Sequence, residues 1–155
     1  MKRAVLLIAS VGYVGYIPVA SGTFGTAAAL PLVYVFHLLA STSAALAIAL
    51  FVALVAFACW VAGRADEILQ EHDSHKIVID EAAGYVAAAL FLPFSWTTAI
   101  MAFLVFRVFD VIKPFPAGYI DANVPGGAGV VLDDVVSGIY TNILLQILLR
   151  LGYMA

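Results

Sequence analysis

Residues 80–110 read DEAAGYVAAALFLPFSWTTAIMAFLVFRVFD. Charge occurs at the two ends of this stretch and nowhere between them. One unbroken helix over its 31 residues would hold the terminal aspartates about 45 Å apart. The interior carries one break, Pro93-Phe94-Ser95-Trp96. Proline disfavours helix for the residue before it, and serine caps the helix that follows. The stretch therefore reads as a hairpin that turns at Pro93 and returns Asp80 and Asp110 to one side. A kinked single crossing over 82–106 is the competing reading, and it would put the two aspartates on opposite sides.

The rest of the chain repeats this pattern. Of its 155 residues, 65% are hydrophobic and 11% charged, against about 25% charged in an ordinary soluble domain. That excess implies a protein embedded in a bilayer. The 17 charges fall in clusters, with none between Arg3 and Arg64, eight from Arg64 to Glu81, six from Arg107 to Asp134, and then Arg150 alone. Apolar runs over 26–40 and 44–62 are split by Ser41-Thr42-Ser43, a turn with N-cap chemistry. A last run covers 135–149. Each run has the length of a short membrane helix. The expected fold is an all-α membrane bundle, one domain over 1–155, with about five short spans and its polar segments on one face.

Six of the seven basic residues, all but Arg150, lie on that face, so the positive-inside rule makes it cytoplasmic. The net charge of −3 and the absence of a basic stretch argue against nucleic acid. Cys59 is the only cysteine, which excludes a disulfide scaffold, and it sits in an apolar run as a packing residue.

Acids gather at the ends of the apolar runs: Asp80, Glu81, Asp110, Asp121, Asp133 and Asp134. Helix capping accounts for one such pair, and Asp133-Asp134 before the last run are placed for it. Two pairs plus Asp110 on one face instead crowd like charges that a hard divalent cation would neutralise. Arg107, Asp110 and Lys113 are spaced along one side of a helix end, as a salt-bridged terminus or as a basic pair beside a metal-binding aspartate. The glycine-rich segment 12–26 offers backbone N–H groups to an anion, without the Gly-Lys-Ser/Thr of a P-loop. His72 and His75 add imidazoles, either acid–base groups or solvated loop residues. Asn142 and Gln146 share a face suited to interhelical hydrogen bonds.

Three blocks make the chain resemble the phosphatidylglycerophosphatase A family. They are Gly12 to Thr26; His72-Asp73-Ser74-His75-Lys76-Ile77-Val78-Ile79-Asp80-Glu81 with Gly84; and Phe106 to Pro116 followed by Asp121, Gly126 to Val130 and Asp133 to Gly138. The chain departs from the family pattern at Ser21 and Ser137, where members carry proline and alanine. The resemblance implies an all-helical bundle with one helix surrounded by others. It also implies a Mg²⁺-dependent enzyme that removes the terminal phosphate of phosphatidylglycerophosphate. On that basis Asp80, Glu81, Asp110, Asp133 and Asp134 are expected to ligate Mg²⁺, with Asp121 a ligand or an orienter. Arg107, Lys113 and Thr23 are expected to hold phosphate, and His72 to move a proton. The expected location is the bacterial inner (cytoplasmic) membrane, multi-pass, with the active site facing the cytoplasm. A carboxylate-lined cation or proton transporter is the alternative, although transport favours acids near the midplane and inverted repeats.

Overall fold

The computed structural model describes residues 2–71 and 74–153. Among them every regular element is helical: α1 (Lys2–Ala9), a 3₁₀ turn (Val14–Tyr16), α2 (Ser21–Ala28), α3 (Leu30–Thr42), α4 (Ala44–Leu69), α5 (Ile79–Ala89), α6 (Trp96–Ile112), α7 (Ala117–Asn123) and α8 (Gly126–Arg150). Among the described residues, three segments are long and apolar enough to cross a membrane: Ser21–Thr42, Ala44–Leu69 and Gly126–Arg150.

Both expected turns form with the expected chemistry. The Ser43 hydroxyl accepts from the Leu46 amide at 3.3 Å to start α4, and Ser95 accepts from Thr98 at 3.0 Å to start α6. The chain does reverse at Pro93, but the two legs are unequal. Leg α6 has 17 residues, whereas α5 has 11, about 16 Å of helix and half a hydrocarbon core. Nine of the α5 residues are buried, because α2, α3, α4, α6 and α8 all pack around it. A helix so enclosed has no need to reach across the lipid.

Small residues let the surrounding helices close on α5. A Cβ on Gly138 of α8 would lie 2.2 Å from the Gly84 carbonyl oxygen of α5, and one on Gly127 would lie 2.0 Å from the Cys59 carbonyl oxygen of α4. Close backbone approach at small residues is the main source of helix association where lipid removes the hydrophobic drive. Gly138→Ala therefore has no room without separating α5 from α8. It is expected to destabilise the protein by about 1–3 kcal/mol, read as a lowered thermal midpoint in detergent; an unchanged midpoint would mean that these helices are not held at this point.

The far end of α5 is closed by side chains. The Asn142 amide donates to the carbonyls of Ala88 at 3.1 Å and Leu90 at 2.7 Å, and Gln146 donates to Asn142 Oδ1 at 2.7 Å. These bonds satisfy helix-end carbonyls that no water reaches within a bilayer. His37 packs against Tyr34 and Phe94, and the partly buried Cys59 joins the core between α4 and α8.

Candidate active site

The α8 helix decides the geometry. It begins at Gly126, two turns before the acids, so Asp133 and Asp134 are interior residues and not the caps that the sequence suggested. Adjacent residues on a helix point about 100° apart. Asp133 accordingly meets Lys113 at 2.6 Å, while Asp134 joins Asp80 and Glu81, with one carboxylate oxygen from each within 4.8 Å of the others. Asp80 and Glu81 come from the first turn of α5, where the positive helix end favours carboxylates. Arg107 and Asp110 come from the last two turns of α6 and pair at 2.6 Å; the guanidinium also lies 3.8 Å from Glu81.

These groups line one cavity of about 430 Å³, with Ser21, Gly22, Ser74 and His75 completing its wall. The start of α2 comes so close that a Cβ on Gly22 would lie 2.1 Å from Glu81 Oε1 and 3.1 Å from both terminal guanidinium nitrogens of Arg107. The glycine-rich segment is pinned there by Ser21, whose hydroxyl donates to the His75 carbonyl at 2.8 Å; ahead of it, the Val78 amide donates to the Ala9 carbonyl at the end of α1 at 2.9 Å.

Of the expected residues, Asp80, Glu81, Arg107, Asp110, Lys113, Asp133 and Asp134 all line the cavity. Thr23 does not; Ser21 and Gly22 occupy that wall, because α2 enters with its first turn towards the acids. Asp121 on α7 stands outside the lining and reaches the site through Lys113, at 2.9 Å. His72 lies outside the described residues, and His75, an exposed residue, is the described histidine among the lining residues. Lys113 sits in the left-handed region at φ 47°, which swings its side chain off the Arg107–Asp110 line and between Asp121 and Asp133. Burial works against its charge, but the hydrogen bonds and charges of Asp133 and Asp121 outweigh that and hold the ammonium well above its usual range.

The donor set fits a hard divalent cation. Asp80, Asp110, Asp133 and Asp134 are each no more than 9% exposed. With Glu81 they make five carboxylates against two cations, Arg107 and Lys113, the second of which is shared with the partly exposed Asp121. Such an excess of buried anion is strongly unfavourable without a counter-charge. Among the described residues, the buried oxygens Glu81 Oε2 and Asp133 Oδ1 have no hydrogen-bond partner. Oxygen-only ligands of this type suit Mg²⁺.

The comparisons with known proteins agree with this chemistry. The profile of the phosphatidylglycerophosphatase A family matches residues 7–149. Phosphatidylglycerophosphatase A of Escherichia coli is 32% identical over 126 residues, covering 81% of this chain and 72% of that protein. The Haemophilus influenzae protein of the same name is 36% identical over 86 residues, covering 55% of this chain and 53% of its own length. A Bacteroides thetaiotaomicron protein, named provisionally as a phosphatidylinositol-3-phosphatase, is 33% identical over 138 residues, 86% of each chain. No solved structure matches. A match over nearly the whole length, on a helical membrane scaffold that gathers the matched acids into one cavity, makes this chain a member of the phosphatidylglycerophosphatase A family of lipid phosphatases.

Proposed function

We propose that the chain hydrolyses the terminal phosphate of phosphatidylglycerophosphate, giving phosphatidylglycerol and inorganic phosphate, with Mg²⁺ at this cavity. The observation that carries the reading is the convergence of Asp80, Glu81 and Asp134 within 4.8 Å, beside an arginine, in a cavity at the end of an apolar bundle. Those three residues, with Asp110 and Asp133 beside them, would hold the cation. When bound, Mg²⁺ polarises a phosphoryl oxygen and lowers the pKa of a water molecule.

The chain supplies the rest. Arg107 is held beside Asp110 as an ion pair, and its buried Nη1 makes no hydrogen bond among the described residues, which leaves the guanidinium N–H groups for phosphate oxygens. Lys113 neutralises Asp133 and ties the end of α6 to α7 and α8, which keeps the carboxylates in register. The first amides of α2 add a positive helix end. As the water oxygen bonds to phosphorus, its proton passes to a carboxylate of the cavity and the phosphorus–glycerol oxygen bond breaks; the proton that the leaving oxygen takes up is assigned to His75, which lines the cavity. The test is phosphate release by the purified protein from phosphatidylglycerophosphate beside phosphatidylinositol 3-phosphate. Faster release from the inositol lipid would move the assignment towards the Bacteroides relative.

The same reading places the cavity at the cytoplasmic face of the bacterial inner membrane, because Lys2, Arg3, Arg64, Lys76, Arg107 and Lys113 belong to the cavity-side segments and Arg150 ends α8 opposite. With Cys59 replaced, cysteines at the exposed positions Ser41 and Thr97 are expected to react with a membrane-impermeant thiol reagent added outside intact cells. One at the exposed Ala122 is not. The reverse pattern would invert the orientation.

A further inference from the structure

Helices α2, α3 and α6 all pack along α5, and a groove of about 210 Å³ stays open between the α2–α3 junction and α6. Its walls are Ala27 and Leu30 on one side and Ala99, Ile100 and Phe103 on the other, with Trp96 at its far end. Its floor is Tyr85, 2% exposed, whose hydroxyl donates to the Ala99 carbonyl at 2.9 Å. The polar end of that ring is satisfied, so it presents an apolar surface.

The groove leads away from the phosphate cavity. On α6, Trp96, Ile100, Phe103 and Arg107 recur at helical spacing on one stripe, so the face that carries Arg107 to the cavity carries the apolar residues to the groove. The opposite wall, Ala27 and Leu30, lies further along the same segment that begins at Gly22, whose backbone abuts Arg107. The stripe from Arg107 to Trp96 spans about 16 Å, directed along the bundle into the lipid. The volume is below the roughly 300–1,000 Å³ of a compact small-molecule pocket and suits a slender chain.

We propose that this groove seats one acyl chain of the lipid whose phosphate occupies the cavity. The proposal rests on the phosphatase reading and adds a positioning site to it. A chain that leaves the bilayer for the groove exchanges one apolar medium for another and gains little transfer energy. What the groove supplies is position, since it fixes the head group relative to Arg107 and the carboxylates.

The test compares kcat/KM for a dipalmitoyl substrate in mixed micelles with that for its water-soluble dihexanoyl analogue, whose chains are too short to fill the groove. Ala27→Phe and Ile100→Trp obstruct it from opposite walls. Each is expected to lower the long-to-short ratio roughly tenfold, a fraction of the hundredfold that a 1 Å misplacement can cost. Val52→Phe, on the exposed face of α4, keeps the wild-type ratio. An unchanged ratio in both groove variants, equal loss on both substrates, or the same shift in Val52→Phe would overturn the assignment. If the wild-type protein releases no phosphate from either substrate, the phosphatase reading itself fails.

Discussion

Replacing Asp134 with asparagine is expected to lower phosphate release by roughly 10²–10³-fold, the scale seen when one group that stabilises transition-state charge is removed, without lowering the thermal midpoint. The two readouts diverge because the site is crowded with like charges. Asp134 is 3% exposed and brings a carboxylate oxygen within 4.8 Å of those of Asp80 and Glu81. Without a cation in place, each buried carboxylate raises the energy of its neighbours. The amide keeps the volume and removes one charge, so the fold loses a repulsion while the site exchanges an anionic ligand for a weaker neutral one. Asp80→Asn is expected to behave alike. A structural role would give the opposite pattern, a lowered midpoint with activity retained; full activity in either variant would remove that residue from the chemistry.

Gly22→Ala is expected to cost roughly 10–100-fold in activity, through misplacement of reacting groups by about an ångström. The added methyl would lie 2.1 Å from Glu81 Oε1 and 3.1 Å from the Arg107 guanidinium. Those atoms are side-chain ends, so they move and the helices stay, and the loss falls on the pairing of Glu81 with Arg107. Gly25→Ala, one turn along α2, is the matched control. Its methyl would lie 2.6 Å from the Val78 Cβ, a core contact outside the cavity lining, so its loss is expected in thermal stability. Equal activity in Gly22→Ala and wild-type protein would mean that α2 does not form this wall.

The helical class and the hairpin were legible because they rest on coarse signals: where charge is absent, and where Pro93 and Ser95 interrupt. The acids of the site were legible for the same reason, since carboxylates beside apolar runs need a counter-charge. What escaped depends on packing. Pro125-Gly126-Gly127-Ala128-Gly129 reads as a loop by local propensity, yet it opens α8, because Gly127 lets α8 lie against Gly63 and Cys59 of α4. Helix-breaking composition is overruled where close approach is the gain. That single difference moves Asp133 and Asp134 from a cap to the middle of a helix. Thr23 and Ser21 offer the same hydroxyl chemistry in one segment, but the entry angle of α2 gives the wall to Ser21 and Gly22. The attachment of Lys113 to Asp121 and Asp133 follows from a left-handed turn at Lys113 itself, for which the sequence offers only the following proline as a hint.

The most direct measurement of the central claim follows lipid and phosphate together. Purified protein is given phosphatidylglycerophosphate with Mg²⁺, and phosphatidylglycerol is quantified by mass spectrometry beside free phosphate. The account predicts equal molar amounts of both products. It further predicts loss of turnover on chelation, recovery when Mg²⁺ is restored, and no recovery in Asp134→Asn. Turnover at the full rate in chelator, or undiminished turnover in Asp134→Asn, would contradict a cation-dependent phosphatase built on these carboxylates.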